Sequence, residues 1–433
     1  MRTRGIGVGR RQFLGAASAG LAAGGVWSGL PARAAVSPNE KLAIAAVGTG
    51  GMAAADLKNL AGEEIVAICD VDEKTLATAA TLYPSAERYH DFRLMLELES
   101  GRIDAVLVAT PDHVHATATM MALKMGKHVY CEKPLTWSVQ EARTVAAAAA
   151  ERGLVTQMGI GVHATDNYRR VVELVRGGAV GPIREVVVWC NKAWGGDGRV
   201  HQPVPPPATL HWDLWLGPAA ARDYAAGAYH PGQWRRWWAF GGGTLGDMAC
   251  HLVDLPFWAL ELTLPESIAA EGPPPDPETA PTELSVTYRF PARGQLPPVT
   301  LTWHDGTRAP KEVAGHPVPA MGVMFVGETG SLFADYGSWK LLPADKFAGF
   351  VAPPQSIPKS VGHWQEWIDA CKTGGPTTCD FAYSSRLTET VLLGNVAYRS
   401  GRTISWDAAT GKPVGCPEAE PFLSREYHSG WTL

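Results

Sequence analysis

The sequence predicts an α/β protein: an N-terminal doubly wound parallel sheet, followed by an α+β domain with a large, mostly antiparallel open sheet. First, 433 residues with 46% hydrophobic content are enough for two globular domains. Second, short apolar runs alternate with helical stretches over residues 40–160, as in parallel strands joined by right-handed crossovers. Third, successive β-rich, often alternating runs follow residue 160, which is typical of antiparallel pairing.

The N-terminal elements follow in a regular order. "KLAIAAV" is a strand that leads through a glycine turn into a helix, and "VQEARTVAAAAAERG" is a later helix. The further predicted strands are "EEIVAICDVD", "DAVLVATPDHVH" with its loop, "HVYCEKPL" and "LVTQMGI". Ligands of such sheets bind beyond the carboxyl ends of the strands. We therefore predict that residues 40–160 form a Rossmann-type domain with its ligand at that edge of the sheet.

The second domain is predicted to span residues 161–405. A helix, "NYRRVVELVRGG", precedes the strand "IREVVVWCNKAW", and two late helices, "GHWQEWIDACKTG" and "SSRLTETVLLGNVAYRSG", each end at glycine. The β-rich runs between them are "TELSVTYRF", "VTLTWHDG" and "GVMFVGETGSLFADYG". Residues 406–433 are irregular and aromatic, and we expect an arm over either a neighbouring subunit or the site.

The first 34 residues are typical of a twin-arginine export signal. Arg10 and Arg11 precede a mildly apolar Ala/Gly stretch, and small residues lead to a predicted cleavage after Ala34. The alternative is an uncleaved apolar tail. Export by this route predicts a periplasmic protein that leaves the cytoplasm folded, often with its cofactor inside. The seven cysteines are scattered and lack CxxC spacing, so we predict core thiols.

Net charge and hydropathy bear on two classes of binding partner, nucleic acid and membranes. A net charge of −5 provides no electrostatic reason to expect nucleic acid. No apolar run of the mature region reaches the roughly 18 residues that a membrane span needs. Neither nucleic acid nor a membrane span is therefore expected.

A glycine motif predicts the dinucleotide site. "GTGGMA" supplies Gly48, Gly50, Gly51 and Met52 between a strand and a helix, where backbone can approach a pyrophosphate at the helix N-terminus. Asp70 ends the next strand 22 residues after Gly48 and can accept hydrogen bonds from the adenosine ribose. With Asp72 nearby and no arginine following, the pattern favours NAD over NADP.

Two further segments carry reactive side chains. Lys133 in "YCEKPLT" follows a parallel strand, where it can stabilise a developing alkoxide. Asp247 and His251 in "GGGTLGDMACHLVD" are four residues apart, which places them one turn apart on a helix. By spacing alone they can be a base with its neighbour, two metal ligands or a buried polar contact.

The order of these pieces resembles the glucose–fructose oxidoreductase/inositol dehydrogenase/MocA family. The resemblance covers about residues 40–400 and rests on Glu132-Lys133-Pro134, the "TPDHVH" segment and G-G-G-x-x-x-D-x-x-x-H-x-x-D. It implies a nicotinamide cofactor and a sugar or polyol substrate. It assigns Lys133 as the family lysine, Asp247 as the substrate-orienting aspartate and His251 as the acid/base, for which a pKa near neutrality is suited.

The resemblance also adds cofactor contacts, and implies that no metal takes part. The residues added to the glycine motif and Asp70 are Thr110, Pro111, His113, Glu132 and Lys133. Of His113 and His115, we expect one near the nicotinamide and the other at the cap of the following helix. The alternative is a metal site of these two histidines with Asp247 and His251.

Candidate substrate residues lie near the glycines and after the last Rossmann strand. Tyr229, Trp237 and Trp238 can stack on sugar rings, or they can pack in the core or at an interface. Arg235 or Arg236 can bind sugar hydroxyls, as Asp247 can. In "QMGIGVHATDNYRR" the sequence departs from relatives that often carry asparagine, so His163 is a candidate substitute. Asp254 either orients His251 or makes a structural hydrogen bond.

Three functions remain open from the sequence. The first is a nicotinamide-dependent oxidoreductase that acts on a secondary alcohol of a sugar, polyol or glycoside. Little free nicotinamide is available outside the cytoplasm, so its cofactor is expected to be tightly bound. The second cleaves glycosides by transient oxidation, elimination and re-reduction. The third is a non-catalytic sugar-binding protein. The family resemblance implies a homo-oligomer, a dimer or tetramer.

Overall fold

The structure is a computed structural model that describes residues 40–196 and 201–433. The predicted export signal, residues 1–34, lies outside the described residues. By contacts between residues, Val36–Leu433 form one unit. Across the described ranges, no helix combines the length and the apolar character that crossing a bilayer requires.

A six-stranded parallel sheet forms the N-terminal half, as predicted. Its strand order is β3-β2-β1-β4-β5-β6, so the order reverses between β1 and β4, where doubly wound sheets bind ligands. The strands are β1 (Ala43–Val47), β2 (Glu64–Cys69), β3 (Glu87–Tyr89), β4 (Ala105–Val108), β5 (His128–Cys131) and β6 (Thr156–Met158). The helices are α1 (Met52–Asn59), α2 (Glu73–Leu82), α3 (Phe92–Glu99), α4 (Asp112–Lys124) and α5 (Val139–Arg152).

Two local features of this half differ from the prediction. Strand β3 was not predicted, because its three residues are largely polar and only pairing with β2 makes them a strand. The "DHVH" residues do not form a loop but the first turn of α4. Pro111 immediately before the helix and Asp112 at its first position are both helix-start signals, which outweigh the loop interpretation.

A nine-stranded sheet forms the C-terminal half. Its order is β15-β14-β13-β7-β10-β9-β8-β16-β17, with β7 and β10 parallel and every other pair antiparallel. The strands of this sheet are β7 (Ile183–Cys190), β8 (Ser267–Glu271), β9 (Ser285–Phe290), β10 (Val299–Asp305), β13 (Met321–Gly327), β14 (Gly330–Ala334), β15 (Trp339–Leu342), β16 (Ile404–Asp407) and β17 (Lys412–Pro413). A separate two-stranded ribbon pairs β11 (Glu312–Val313) with β12 (His316–Pro317). The mostly antiparallel open sheet is thus confirmed.

Helices join the two sheets into one core. They are α6 (Asp166–Arg176), α7 (Trp212–Leu216), α8 (Gly243–Leu252), α9 (Asp254–Ala259), α10 (His363–Thr373) and α11 (Phe381–Ser400). The long helix α11 is buried over most of its length and packs on α5, α8 and β8. All seven cysteines are buried free thiols, as predicted.

Residues 201–240, here called the aromatic segment, form their own apolar cluster. Trp212 stacks on Trp215 with 4.7 Å between ring centres, and Trp215 contacts Phe240 edge-on at 4.8 Å. Backbone hydrogen bonds attach the segment to the nucleotide-binding half, from Glu73 N to Thr209 O and from His211 N to Val71 O, both 2.9 Å. The segment is therefore a wall beside the carboxyl ends of the parallel strands.

We expect Arg143→Met to lower the free energy of unfolding by about 3 kcal/mol, because it leaves a buried carboxylate without its partner. Arg143 on α5 donates to both oxygens of buried Glu389 on α11, at 2.8 and 2.6 Å. Urea denaturation measures the change. Arg152→Met is the matched control: Arg152 lies on the same helix and pairs with exposed Glu151, so its loss should cost less than about 1 kcal/mol. Equal effects would contradict the role of the Arg143–Glu389 pair.

Candidate active site

The glycine turn after β1 leaves no room for a side chain at Gly48 or at Gly50. Gly48 has a φ of +92°, and a Cβ there would lie 2.5 Å from the carbonyl oxygen of Ala109. A Cβ on Gly50 would lie 2.7 Å from Thr75 Cγ2. The turn ends at Gly51, after which α1 begins at Met52. The backbone N–H groups at this helix start favour a phosphate, so the turn fits a dinucleotide pyrophosphate.

Asp70 is held at the end of β2 by hydrogen bonds from its neighbours. One carboxylate oxygen accepts from Thr49 N at 2.9 Å and from Thr49 Oγ1 at 3.0 Å. The other accepts from Asp72 N at 3.0 Å. The carboxylate is thereby fixed beside the glycine turn, where it can accept hydrogen bonds from ribose hydroxyls.

A cleft runs along this edge of the sheet. Of the predicted cofactor residues, it brings together Gly48, Gly50, Gly51, Met52, Asp70, Thr110 and Pro111. The predicted substrate residue Arg235 also lines it. The aromatic segment supplies further wall residues that the sequence analysis did not select, namely Leu214, Trp215, His230, Pro231 and Trp234. A second group of unpredicted lining residues includes His90, Asp91, Phe92 and Trp431.

The C-terminal arm reaches the cleft of its own chain. The Trp431 ring lies 4.1 Å from the Arg93 guanidinium and 5.7 Å from the Phe92 ring, measured between centres. Arg425 anchors the arm on α5 by donating to Glu141 Oε1 at 2.8 Å. The sequence carries no local signal for this contact, because Trp431 lies more than 300 residues from its partners.

Lys133, Arg235 and Asp247 form a charged cluster next to the cleft. Asp247 Oδ1 accepts from Lys133 Nζ and from Arg235 Nε, each at 2.9 Å. Burial alone would raise the pKa of Asp247, but the two cations hold it well below its usual range. Burial would likewise lower the pKa of Lys133, but Asp247 and Glu132 raise it. The cluster is therefore an ionised carboxylate between two charged donors.

His251 lies one turn after Asp247 on α8, as its spacing predicts. Burial, together with the charge of Lys133, lowers the pKa of His251 to about 3. This differs from the near-neutral pKa expected from the sequence. His251 Nδ1 is enclosed and has no hydrogen-bond partner among the described residues. The ring is therefore a neutral imidazole, and in these surroundings it is a weaker base than a histidine with a near-neutral pKa.

Asp254 does not orient His251. It pairs instead with His163, whose Nδ1 donates to Asp254 Oδ2 at 2.9 Å. Tyr383 donates to the other oxygen at 2.6 Å, and Trp258 stacks on the His163 ring at 4.0 Å between centres. Of the two roles considered for Asp254, the structure therefore shows the structural hydrogen bond, and its partner is a different histidine.

The two histidines of α4 are bound to backbone. His113 is buried between Trp215 and Phe240, and its Nε2 donates to Trp215 O at 2.9 Å. The ring nitrogens of His115 lie 2.8 Å from the carbonyl oxygens of Pro134 and Thr110. Neither ring forms a ligand cluster with Asp247 and His251 in the described residues. The structure therefore places His113 outside the cleft wall, and the alternative metal site is not assembled.

The remaining predicted residues lie behind or beside the cleft. Trp238 is buried and donates to Asp276 O at 3.0 Å, and Tyr229 is buried in the aromatic cluster. Trp237 donates to Ala228 O at 2.8 Å and lines a separate side pocket. These rings pack against protein because the segment folds on itself, and the tryptophans of the aromatic segment that line the cleft are Trp215 and Trp234 instead.

Glu132 is buried under the residues that line the cleft. Burial and the neighbouring Asp56 raise the pKa of Glu132 to about 8. A Cβ on Gly159 would lie 2.1 Å from Glu132 Oε1. The side chain thus packs beside Gly159, and its Oε2 accepts a hydrogen bond from Lys133 N at 3.3 Å.

Sequence comparison identifies relatives over both halves of the chain. Residues 42–160 match an oxidoreductase family described by its NAD-binding Rossmann fold, and residues 184–433 match the C-terminal α/β domain of the same family. Inositol 2-dehydrogenase of Rubrobacter xylanophilus is 37% identical over 179 residues, 40% of this chain and 50% of that protein. Levoglucosan dehydrogenase of Pseudarthrobacter phenanthrenivorans is 24% identical over 188 residues, 43% of this chain and 40% of that protein. The chain thus matches half or less of the length of these two relatives.

Solved structures share the fold along most of the chain. GenD2 from gentamicin A biosynthesis, in complex with NAD, superposes with a TM-score of 0.60 at 22% identity, covering 88% of this chain and 100% of that one. A levoglucosan dehydrogenase with NADH and L-sorbose superposes with a TM-score of 0.58 at 17% identity, covering 84% and 98%. At these identities the likeness shows the fold. With both of its halves matched, the chain belongs to the glucose–fructose oxidoreductase/inositol dehydrogenase/MocA family of oxidoreductases.

Proposed function

We propose that this protein oxidises a secondary alcohol of a sugar or polyol with NAD. The observation that carries the proposal is the ionised Lys133–Asp247–Arg235 cluster, which adjoins neutral His251 at the side of a glycine-lined cleft. Relatives named inositol 2-dehydrogenase and levoglucosan dehydrogenase support a polyol or sugar substrate. A non-catalytic sugar-binding protein has no need of a buried cation beside a neutral base.

The proposed chemistry divides between the side chains. His251, a neutral imidazole, accepts the hydroxyl proton of the substrate. The Lys133 ammonium donates a hydrogen bond to the same oxygen and stabilises the negative charge that develops on it. Asp247 holds Lys133 and Arg235 in place and accepts a hydrogen bond from a neighbouring hydroxyl. A bound nicotinamide supplies the acceptor for the hydride that leaves the carbon.

The proposed cofactor is NAD rather than NADP. The Asp70 carboxylate lies beside the glycine turn with Asp91 also in the cleft wall, and both would repel a ribose 2′-phosphate. The nearby guanidinium of Arg93 is already paired with Asp91, at 2.7 Å. The local charge therefore favours the unphosphorylated ribose.

We also propose that the protein is exported and that it retains its cofactor tightly. Arg10 and Arg11 are the basis for export. The aromatic segment and Trp431 add walls to the cleft on the side away from the sheet, which supports slow release. An oxidoreductase with a retained cofactor must return it to its starting state with a second sugar substrate. The homo-oligomer stays a prediction.

Asp70→Ser should weaken NAD binding about tenfold and bring the NADP affinity close to it, because the variant loses a ribose acceptor and a negative charge. Fluorescence titration of the cofactor-free protein with NADH and NADPH measures both dissociation constants. Glu64→Ser, at the exposed start of the same strand, is the control and should leave both unchanged. An unaltered NADH/NADPH ratio in Asp70→Ser would remove the basis for preferring NAD.

His251→Asn should lower kcat by roughly 10²–10⁴-fold, because it removes the proton acceptor while preserving polarity. Retention of NADH after desalting should match that of the parent protein, since His251 is not part of the glycine-lined wall. His304→Asn on β10 is the control and should change kcat less than twofold. Activity within tenfold of the parent in His251→Asn would show that another group takes the proton.

Substrate classes can be separated on the purified holoenzyme. A panel of sugars and polyols should change the absorbance of the bound nicotinamide at about 340 nm, because oxidation of the substrate reduces the cofactor. Aryl glycosides serve as the contrasting panel. Release of the aglycone without accumulation of NADH would favour the oxidation–elimination–reduction cycle over net oxidation.

A further inference from the structure

Three side chains from separate elements meet at the rim of the cleft, away from Lys133, Asp247 and His251. Glu73 is the first residue of α2, His90 follows β3, and His211 immediately precedes α7. One ligand atom from each lies within 4.8 Å of the other two. The sequence analysis did not select them, because 17 and 121 residues separate the successive members of the group.

The two histidine rings lie next to each other, and each has a ring nitrogen close to the Glu73 carboxylate. Their rings stack with 4.1 Å between centres and 28° between planes. His90 Nδ1 donates to Asp70 O at 2.9 Å, which leaves a lone pair on His90 Nε2. A hydrogen bond of this kind commonly fixes the tautomer of a metal-binding histidine.

His211 provides the second nitrogen. Its Nε2 is shielded from solvent and makes no hydrogen bond among the described residues, although it lies 3.3 Å from Glu73 Oε1. The backbone bonds at Thr209 and His211 hold this part of the aromatic segment against Val71 and Glu73. Hydrogen bonds to residues outside the group thus hold the His90 ring and the backbone of Glu73 and His211 in place.

We propose that Glu73, His90 and His211 bind a divalent transition metal ion, with Zn²⁺ the best match. Two imidazole nitrogens and one carboxylate oxygen are a donor set that Zn²⁺ prefers, whereas Mg²⁺ and Ca²⁺ prefer oxygen ligands. Three protein ligands leave one tetrahedral position for water. The ion would join the aromatic segment to the nucleotide-binding half at a site separate from the proposed chemistry.

An ion bound at this position would link two parts of the cleft wall. His90 lines the cleft, and the aromatic segment supplies Trp215, His230 and Arg235 to the same wall. A second contact, His230 Nε2 to Asp72 Oδ2 at 3.0 Å, joins the same two parts. Bound Zn²⁺ is therefore expected to slow the opening of this wall. The expected effect on NADH release rests on the function proposed above, whereas metal binding itself does not.

Zinc binding can be measured on the metal-free full chain by competition with a chromophoric chelator. The parent protein should bind one Zn²⁺, and His90→Ala and His211→Ala should each weaken binding at least tenfold. Glu73→Gln keeps the shape of an exposed side chain and should also weaken binding, which guards against misfolding in the histidine variants. His316→Ala, on the separate ribbon, is the matched control and should bind as the parent does.

The absorption spectrum of bound Co²⁺ tests the ligand set independently. Co²⁺ bound to the parent protein should show visible d–d absorption typical of four or five ligands, and His211→Ala should lose it. Zinc affinity in His90→Ala, His211→Ala and Glu73→Gln equal to that of His316→Ala would overturn the proposed site. So would an absence of zinc binding by the parent.

Release of NADH tests the structural consequence separately. Added Zn²⁺ should slow release from the parent protein at least twofold, and EDTA should reverse this, with neither reagent affecting His90→Ala. If the parent protein binds zinc but releases NADH at an unchanged rate, the proposed metal site is confirmed and its proposed effect on NADH release is wrong. If no variant or parent binds NADH at all, the proposed cofactor fails while the zinc measurement still stands.

Discussion

The ion pair between Lys133 and Asp247 is the interaction on which the site depends. Lys133 comes from the end of β5 in the parallel sheet, and Asp247 comes from α8 beside the antiparallel sheet. Both groups are largely buried, and an isolated charge in either place would cost several kcal/mol of desolvation. The two halves must therefore pack closely enough to bring the charges within hydrogen-bond distance. That packing also sets the position of His251, which is fixed by the helix that carries Asp247.

Around this pair, the walls of the cleft come from parts of the chain that are distant in sequence. The parallel sheet supplies the glycine turn and Asp70, the aromatic segment supplies Trp215 and Trp234, and the arm supplies Trp431. The proposed catalytic groups lie among buried charges, while stacked rings and backbone hydrogen bonds hold the walls in place. The cluster of Glu73, His90 and His211 lies where two of these walls meet.

Local sequence patterns predicted the residues whose role is set within a single turn or helix. Gly48 and Gly50 were selected from the glycine motif, and the structure shows that a Cβ at either position would clash with Ala109 O or Thr75 Cγ2. The Asp247–His251 spacing correctly predicted one helix turn. His113 and Trp238 are different, because their surroundings come from Trp215, Phe240 and Asp276, which no local pattern places next to them. From the sequence alone, a polar or aromatic side chain is equally compatible with a ligand contact and with a contact in the core. Only its neighbours in the structure decide between the two.

The sequence by itself determined most of the alternation of strands and helices and the glycine turn with its acidic partner, because these follow from periodicity, turn chemistry and short spacings. The grouping of Lys133 with Asp247 and His251 came from the family resemblance. Only the tertiary structure decided that Arg235 completes the charged cluster, that Asp254 serves His163, and that Trp431 returns to the cleft. The physical reason is that burial, which sets both the pKa of His251 and the partners of each ring, depends on contacts between residues far apart in the chain.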